Sequence, residues 1–341
     1  MAYSIDPNKS EGSGSVQRAQ PAEKAHPAGK SLLRTLSLGQ YGIVWGLIGM
    51  CIALTLLTPF FLSERNLLNV ARQSSINAIM AAGMTIIIIS GGIDLSVGSI
   101  LALSSCVMAF PLKAGWPLGV CLLIGLGVGG LTGLINGVLI TKGNLPPFIA
   151  TLGMMSMARG GALVLLIGTP IAGFNSDFRW LGEGYVGPIP LPVILALVVY
   201  VILHLVVTQT RLGRYTYSIG GNEEAARLSG VNITIQKDAI YAICGVCAAL
   251  AGIILTARLG SAQPIAGVGY ELDAIAAAVI GGTSLAGGRG NLIGTVVGAL
   301  IMGVLRNGLN LLNVNPFWQQ FVIGAVILAA VLVDEARKGR K

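Results

Sequence analysis

Runs of about 20 apolar residues, enough to cross a bilayer as helices, recur along almost the whole chain. Following each run to its polar breaks predicts ten spans, at roughly 41–62, 69–89, 96–112, 116–140, 146–168, 190–208, 238–257, 272–286, 291–312 and 316–333. The third and eighth are short and broken by glycines. One interior segment departs from the pattern: QTRLGRYTYSIGGNEEAARLSGVNITIQKD, residues 209–238. There Asn222 suits a helix N-cap, Glu223 and Glu224 sit where the helix dipole favours acids, and Gly230 suits the position just past the helix end. The pattern predicts a surface helix over about 222–229. Two turns of helix are marginal alone in water, so something else must hold it.

Composition supports the same class. Hydrophobic residues make up 54% of the chain and charged ones 11%, with mean hydropathy +0.78; an average soluble domain carries about 25% charge. The fold class is therefore an all-α polytopic membrane protein of about ten transmembrane helices. Residues 1–38 are polar and rich in Gly, Ser, Pro and Lys, and read as a disordered cytoplasmic tail. Residues 39–334 form the transmembrane domain and 335–341 a basic C-terminus. The net charge of +8 is scattered over loops, which argues against nucleic acid. With the N-terminus inside, fifteen Lys and Arg fall on the cytoplasmic side, five outside, and two (Arg159 and Arg306) within spans. That bias fits the positive-inside rule and places both termini and the 209–238 segment in the cytoplasm.

The five cysteines all lie in apolar spans. Cys244 and Cys247 form a C-x-x-C with no second pair and no flanking His, which reads as buried small residues. The tail contains AGKS, the end of a Walker A motif, but Lys24 stands where the loop requires glycine, and no complete phosphate loop occurs in the chain. No metal, cofactor or catalytic residue is expected in the chain itself.

The chain also repeats itself. INAIMAAGMTIIIISGGIDLSVGS (76–99) aligns without gaps with LDAIAAAVIGGTSLAGGRGNLIGT (272–295). Gly91, Gly92 and Gly98 recur as Gly287, Gly288 and Gly294, and Asn77 faces Asp273. The copies lie six spans apart in the predicted order, so both cross in the same direction. Repeats of this kind are common in transporters, with interrupted helices beside the substrate path. Gly91, Gly92, Asp94, Gly287 and Gly288 mark such breaks, with Asp94 expected to cap the helix that follows. Irregular backbone is costly in lipid, so the breaks should be covered by protein or face water. The stripes Gly125, Gly129, Gly133, Gly137 and Gly290, Gly294, Gly298 predict close helix packing.

Polar residues inside spans are candidates for function. Gln73 and Asn77 share one face of the second span, with Asp273 at the repeat-equivalent place. Asn307 and Asn310 share a face of the ninth, beside Arg306. Amides donate and accept, which suits hydroxyl-rich solutes; the alternative is hydrogen bonding between helices. Arg159 is expected to bind a helix-end carbonyl or Asp94. No acid lies where it would plainly relay protons through a span.

GGIDLSVGS (91–99), PPFIATLGMM (146–155), SIGGNEEAARLSGVNI (218–233), YELDAIAAAVIGGTSLAGGRG (270–290) and GVLRNGLNLLNV (303–314) together resemble the permease subunits of bacterial ribose/monosaccharide ABC importers, over about residues 40–333. The resemblance implies an ABC importer permease fold in the bacterial inner membrane and a homodimer of permeases. It also implies a cytoplasmic ATP-binding subunit, either two copies or one double-length chain, carrying ATP and Mg, and an extracytoplasmic sugar-binding protein. It makes 222–229 the helix that couples the permease to the ATPase, with Gly220, Gly221, Asn222, Glu223, Ala225, Ala226, Arg227 and Gly230 as coupling residues. Small Ala225 and Ala226 would dock closely in an ATPase groove, with Asn222, Glu223 and Arg227 as polar contacts. Gln73, Asn77, Phe148, Asp273, Asn307 and Asn310 would line the path. Arg306 departs from the small or amide residue expected there. The alternatives are a permease of the related branch for branched-chain amino acids or nucleosides, and an ion-coupled secondary transporter, which requires an essential intramembrane carboxylate. A membrane enzyme would require a nucleophile, metal cluster or paired acids at a membrane face, and the sequence shows none of these.

Overall fold

The computed structural model describes residues 38–338. Almost all of the predicted tail lies outside them, as do residues 339–341. The described chain is helical: α1 (Leu38–Leu57), α2 (Glu64–Ile89), α3 (Val97–Lys113), α4 (Leu118–Thr141), α5 (Pro147–Leu166), α6 (Ser176–Glu183), α7 (Leu191–Gln209), α8 (Arg211–Gly221), α9 (Glu223–Leu228), α10 (Ile233–Leu259), α11 (Tyr270–Ile280), α12 (Leu292–Leu311) and α13 (Pro316–Lys338). Two antiparallel ribbons join loops: β1 (Ile171–Ala172) with β4 (Ser261–Ala262), and β2 (Tyr185–Val186) with β3 (Ile189–Pro190). Helices α2, α4, α5, α7, α10 and α12 are long and apolar enough to cross a membrane; Gly42–Leu57, Val97–Lys113 and Pro316–Leu332 are shorter apolar helices.

Each predicted span is represented by a helix, with three informative differences. Helix α2 begins at Glu64, before the predicted 69, because its first turns are polar but still helical. Helix α10 begins at Ile233, before the predicted 238: Asn232 caps it by accepting from the Ile235 amide, and a polar first turn leads into the apolar run. The eighth span, predicted to reach 286, is the short α11, which stops at Ile280 where Gly281 and Gly282 follow.

Helices α2 and α10 form the centre and are buried over most of their length. Helix α4 lies against α10 through the predicted glycine stripe. A Cβ on Gly129 would collide with the Gly245 carbonyl and Ala249, and one on Gly133 with the Tyr241 carbonyl. A Cβ on Gly137 would stand 2.6 Å from the Asp238 Cα. Cys244 and Cys247 are buried beside Gly83 of α2, as small packing residues. The second stripe works in the same way between α12 and α11, where Gly294 meets Gly281 and Gly298 meets the Ala277 carbonyl.

Helix α3 packs against α4, α5 and α10. Non-helical chain leads from Gly91 to it, and a Cβ on Gly98 would stand 2.5 Å from the Glu271 carboxylate. The loop before α11 thus meets the start of α3. Arg159 of α5 seals this meeting by donating to the carbonyls of Pro264 and Ala266, both at 2.7 Å, and of Gly98 at 3.4 Å. Its partners are therefore carbonyls of that loop and of the first turn of α3, and Asp94 is engaged elsewhere.

The packing of α4 on α10 gives a direct test. Gly133→Leu places bulk against backbone that cannot yield and should destabilise by about 1–3 kcal/mol. It should lower the Tm of the purified permease in detergent, whereas Gly127→Ala, where nothing lies within 4 Å, should leave it unchanged.

Candidate functional site

Two polar regions stand out, at opposite ends of the bundle. The first is the α8–α9 segment. Asn222 caps α9 by accepting from the Ala225 amide at 2.9 Å, and Gly230 follows the helix with φ of 86°. Glu223 bridges Arg227 at 3.1 Å and Lys237 of α10 at 2.7 Å. Partial burial raises the Glu223 pKa, but the hydrogen bonds and charges of Lys237 and Arg227 outweigh it and hold the carboxyl below its ordinary range. Asn222, Glu223 and Arg227, predicted as outward polar contacts, are thus already engaged within the chain.

Ala226 corrects the expectation for the alanine pair. It is 2% exposed and packs with Ile219 of α8 and Ile233 of α10, so its small size seats α9 on the permease itself. Ala225 does face outward, and Glu224 and Leu228 share its face at helical spacing; Leu228 is 81% exposed. Helix α8 was not expected. It buries Gly213, Thr216 and Ile219 and exposes Arg211, Arg214 and Tyr215. Its carbonyl at Leu212 accepts from Gln236 of α10 at 2.5 Å.

The second region follows one face of α2. Asn66, Asn69, Gln73 and Asn77 are spaced i, i+3, i+7 and i+11, which aligns them in a single amide row. Asn66 exchanges two hydrogen bonds with Asn307 of α12, at 3.0 and 2.8 Å, and Asn69 accepts from Arg258 at 2.9 Å. Gln73 is half-buried. Asn77 is buried, and its side-chain oxygen has no hydrogen-bond partner among the described residues. At the α6 end of the bundle the row opens into a cavity of about 700 Å³ lined by Asn66, Asn69, Arg72 and Tyr185 among others. The Arg72 guanidinium lies over the Tyr185 ring at 4.5 Å. Amides, a guanidinium and an aromatic face together suit a small polyhydroxylated ring, whose hydroxyls need donors and acceptors.

Deeper in, Asp273 of α11 forms an ion pair with Arg306 of α12 at 2.6 Å, and Arg306 also lies 5.9 Å from the Tyr270 ring. The Asp273 side chain is almost fully buried, and its second oxygen has no partner among the described residues. The unexpected arginine is thus the counter-ion of the repeat's acidic member. Helix α2, carrying Asn77, packs on both α11 and α12.

Of the remaining predicted path residues, Asn307 meets the row at Asn66, while Asn310 and Phe148 are placed apart from it. Asn307 is held by Asn66, and Asn310 accepts from Gln319 of α13 at 2.8 Å, which is the interhelical reading for both. Phe148 lies exposed in the first turn of α5, which packs chiefly on α3.

Gly91 and Gly92 follow the end of α2 directly, whereas α11 already stops at Ile280, so Gly287 and Gly288 lie in the loop beyond it and not at the helix break expected there. Gly91, Gly287 and Gly288 have φ of 80°, 82° and 70°, a region glycine enters without steric cost. Gly92 passes close under the Tyr241 hydroxyl, which donates to the Ile93 carbonyl. Asp94 accepts from the Ser96 amide and hydroxyl at 2.8 and 2.5 Å, and Asn136 of α4 donates to the same hydroxyl at 2.8 Å. It therefore holds the turn at Ser96 just ahead of α3, and not the first-turn amides that a cap would take, so the capping role expected of it is not the one it has.

A bundle of membrane-length helices with a repeated, glycine-broken helix and a polar row opening at one end is the build of a multi-pass membrane permease. The chain belongs to the family described as "Branched-chain amino acid transport system / permease component", which it matches over residues 66–331. It is 51% identical over 294 residues to the ribose import permease protein of Bacillus subtilis (strain 168), covering 86% of this chain and 91% of that one. It is 44% identical over 276 residues to the D-allose transport system permease protein of Escherichia coli (strain K12), covering 81% and 85%. The galactose/methyl galactoside import permease protein of the same strain is 39% identical over 331 residues, covering 92% and 98%. No solved structure matches the chain. The resemblance to monosaccharide importer permeases is thereby borne out.

The ion pair provides the test of this region. Arg306→Met strands a buried carboxylate, which should cost about 3–5 kcal/mol, whereas Asp273→Leu with Arg306→Met removes both charges and should recover most of the loss. Thermal unfolding of the three purified proteins checks this; equal losses in the single and double variants would show that the charges are not coupled.

Proposed function

We propose that the chain is the permease subunit of an ATP-binding-cassette importer for a monosaccharide of the ribose, allose or galactose kind. The observation that carries this is the outward row Glu224, Ala225 and Leu228 on a short helix seated firmly on α10, in a chain whose relatives are named as sugar import permeases. An exposed leucine on a short helix anchored to the permease suits a partner's apolar groove. The family's description names branched-chain amino acids, but the three relatives above are named for sugars, and the amide row suits hydroxyls better than aliphatic side chains.

In this reading two copies of the permease enclose the path, and a separate cytoplasmic ATPase carries ATP and Mg. A sugar-binding protein delivers its cargo at the α6 end. The chain supplies no ATP site of its own. The excess of Lys and Arg on loops at the α9 end supports that end, and both termini, lying in the cytoplasm of a bacterial cell whose inner membrane holds the protein. Closure of the ATPase on ATP pushes α9, and the bundle then exposes the amide row to one side or the other.

Two measurements on proteoliposomes containing permease, ATPase and binding protein test the reading. Leu228→Asp or Ala225→Arg should leave the permease inserted but abolish stimulation of ATP hydrolysis by loaded binding protein and cut D-ribose uptake more than tenfold; wild-type stimulation and uptake would overturn the assignment of α9. Asn77→Leu should lower D-ribose uptake about tenfold with ATPase assembly intact, and unchanged uptake would reduce Asn77 to a packing residue.

A further inference from the structure

The end of α8 meets both breaks of the internal repeat at one point. A Cβ on Gly220 would collide with the Ile89 carbonyl and stand 2.5 Å from the Gly288 amide nitrogen. A Cβ on Gly287 would stand 2.7 Å from the Gly220 carbonyl oxygen and 3.0 Å from the Gly91 Cα, and one on Gly288 would stand 3.0 Å from the Gly221 Cα. The two breaks are themselves joined, because the Gly288 amide donates to the Ile89 carbonyl at 2.8 Å. One turn earlier on α8, the Tyr217 hydroxyl donates to the Gly290 carbonyl, also at 2.8 Å. Gly91 and Gly287 are equivalent positions of the repeat, so the two copies touch at the same residue, with α8 resting on both.

Nothing in this meeting can absorb a displacement. Side chains yield by changing rotamer, but here backbone lies directly on backbone, and close-packed groups pass strain on. Gly221, one residue further along, lies against Gly288 through its backbone but has nothing within 4 Å of its own Cβ position, so on α8 it is Gly220 that tolerates no side chain. Helix α9 follows within two residues and shares the same support on α10.

We propose that Gly220, with Gly91, Gly287 and Gly288, forms the junction through which movement of α8 and α9 reaches both broken helices together, making these glycines positioning residues for transport. The proposal rests on the reading of α9 as the ATPase contact. Helix α2 ends at the junction, and the loop that follows α11 passes through it at Gly287 and Gly288, so a push there acts on both copies of the repeat. The helices carrying Asn77 and Asp273 move with it.

The test compares D-ribose taken up per ATP hydrolysed in the complete proteoliposome system. Gly220→Ala should lower this ratio at least tenfold while hydrolysis stays within twofold of wild type, and Gly127→Ala, an open glycine on α4, should keep the wild-type ratio. A wild-type ratio for Gly220→Ala overturns the junction. If Gly220→Ala does not assemble, Tyr217→Phe decides: it removes one hydroxyl, and a threefold or greater loss supports the junction where a wild-type ratio overturns it. Ala225→Arg separates the two readings. Uncoupling by both variants supports the junction; uncoupling by Ala225→Arg with normal coupling in Gly220→Ala sinks the junction alone; and normal coupling in Ala225→Arg sinks the docking role of α9 and, with it, the junction as a relay from α9.

Discussion

The contact on which the rest of the structure depends is the approach of α4 to α10 without intervening side chains. Gly129, Gly133 and Gly137 let the backbone of one helix rest on the backbone of the other, and Gly245 returns the same accommodation from α10. In lipid there is no hydrophobic drive to bring helices together, so close van der Waals packing of this kind must supply the cohesion. Once α10 is fixed, much else follows from it. Its Tyr241 covers the break after α2, its Gln236 holds α8, and its Lys237 holds Glu223 of α9. One helix thus carries both the core of the membrane bundle and the seat of the polar segment outside it.

A second constraint shapes the interruptions. Backbone groups that leave a helix inside a bilayer must find partners in the protein, since lipid offers none. Asp94, Ser96 and Asn136 serve the start of α3, Arg159 serves the loop ahead of α11, and the breaks serve each other through Gly288 and Ile89. The polar residues scattered through apolar spans therefore divide into two groups. Some repair the backbone or clasp neighbouring helices, as Arg159, Asn307 and Asn310 do. Others, such as Asn77 and Asp273, keep a buried polar atom without a partner among the described residues.

Local patterns were readable where the cause of the structure is local. Apolar runs predicted the spans, Asn222 and Gly230 predicted the ends of α9, and the spacing of glycines predicted close packing, though not that α10 would be the partner. Helix α8 was hidden because Gly213, Gly220 and Gly221 lower its intrinsic helicity, and only contacts with α10 and the breaks offset this. Asn66 and Asn69 were missed because the polar first turns of α2 fall outside a hydropathy window. The inward direction of Ala226, and the pairing of Asp273 with Arg306, depend on partners distant in sequence, which no local pattern records. The expected path residues were a mixture for the same reason: an amide in a span looks identical whether it meets a solute or another amide.

The Asp273–Arg306 pair also bears on how α11 is held in the membrane. Arg306 lies five residues before the end of α12, and an unpaired arginine within a membrane helix is unfavourable, by about 2.5–3.5 kcal/mol at the centre and less towards the end. Helix α11 has only 11 residues, or about 16 Å against a hydrocarbon core of about 30 Å, so it is too short to be retained by lipid alone. Each helix supplies what the other lacks: α12 the length, α11 the counter-charge. The matched charges thus tie α11 to α12, so the short helix is retained in the bundle through its partner and not by lipid.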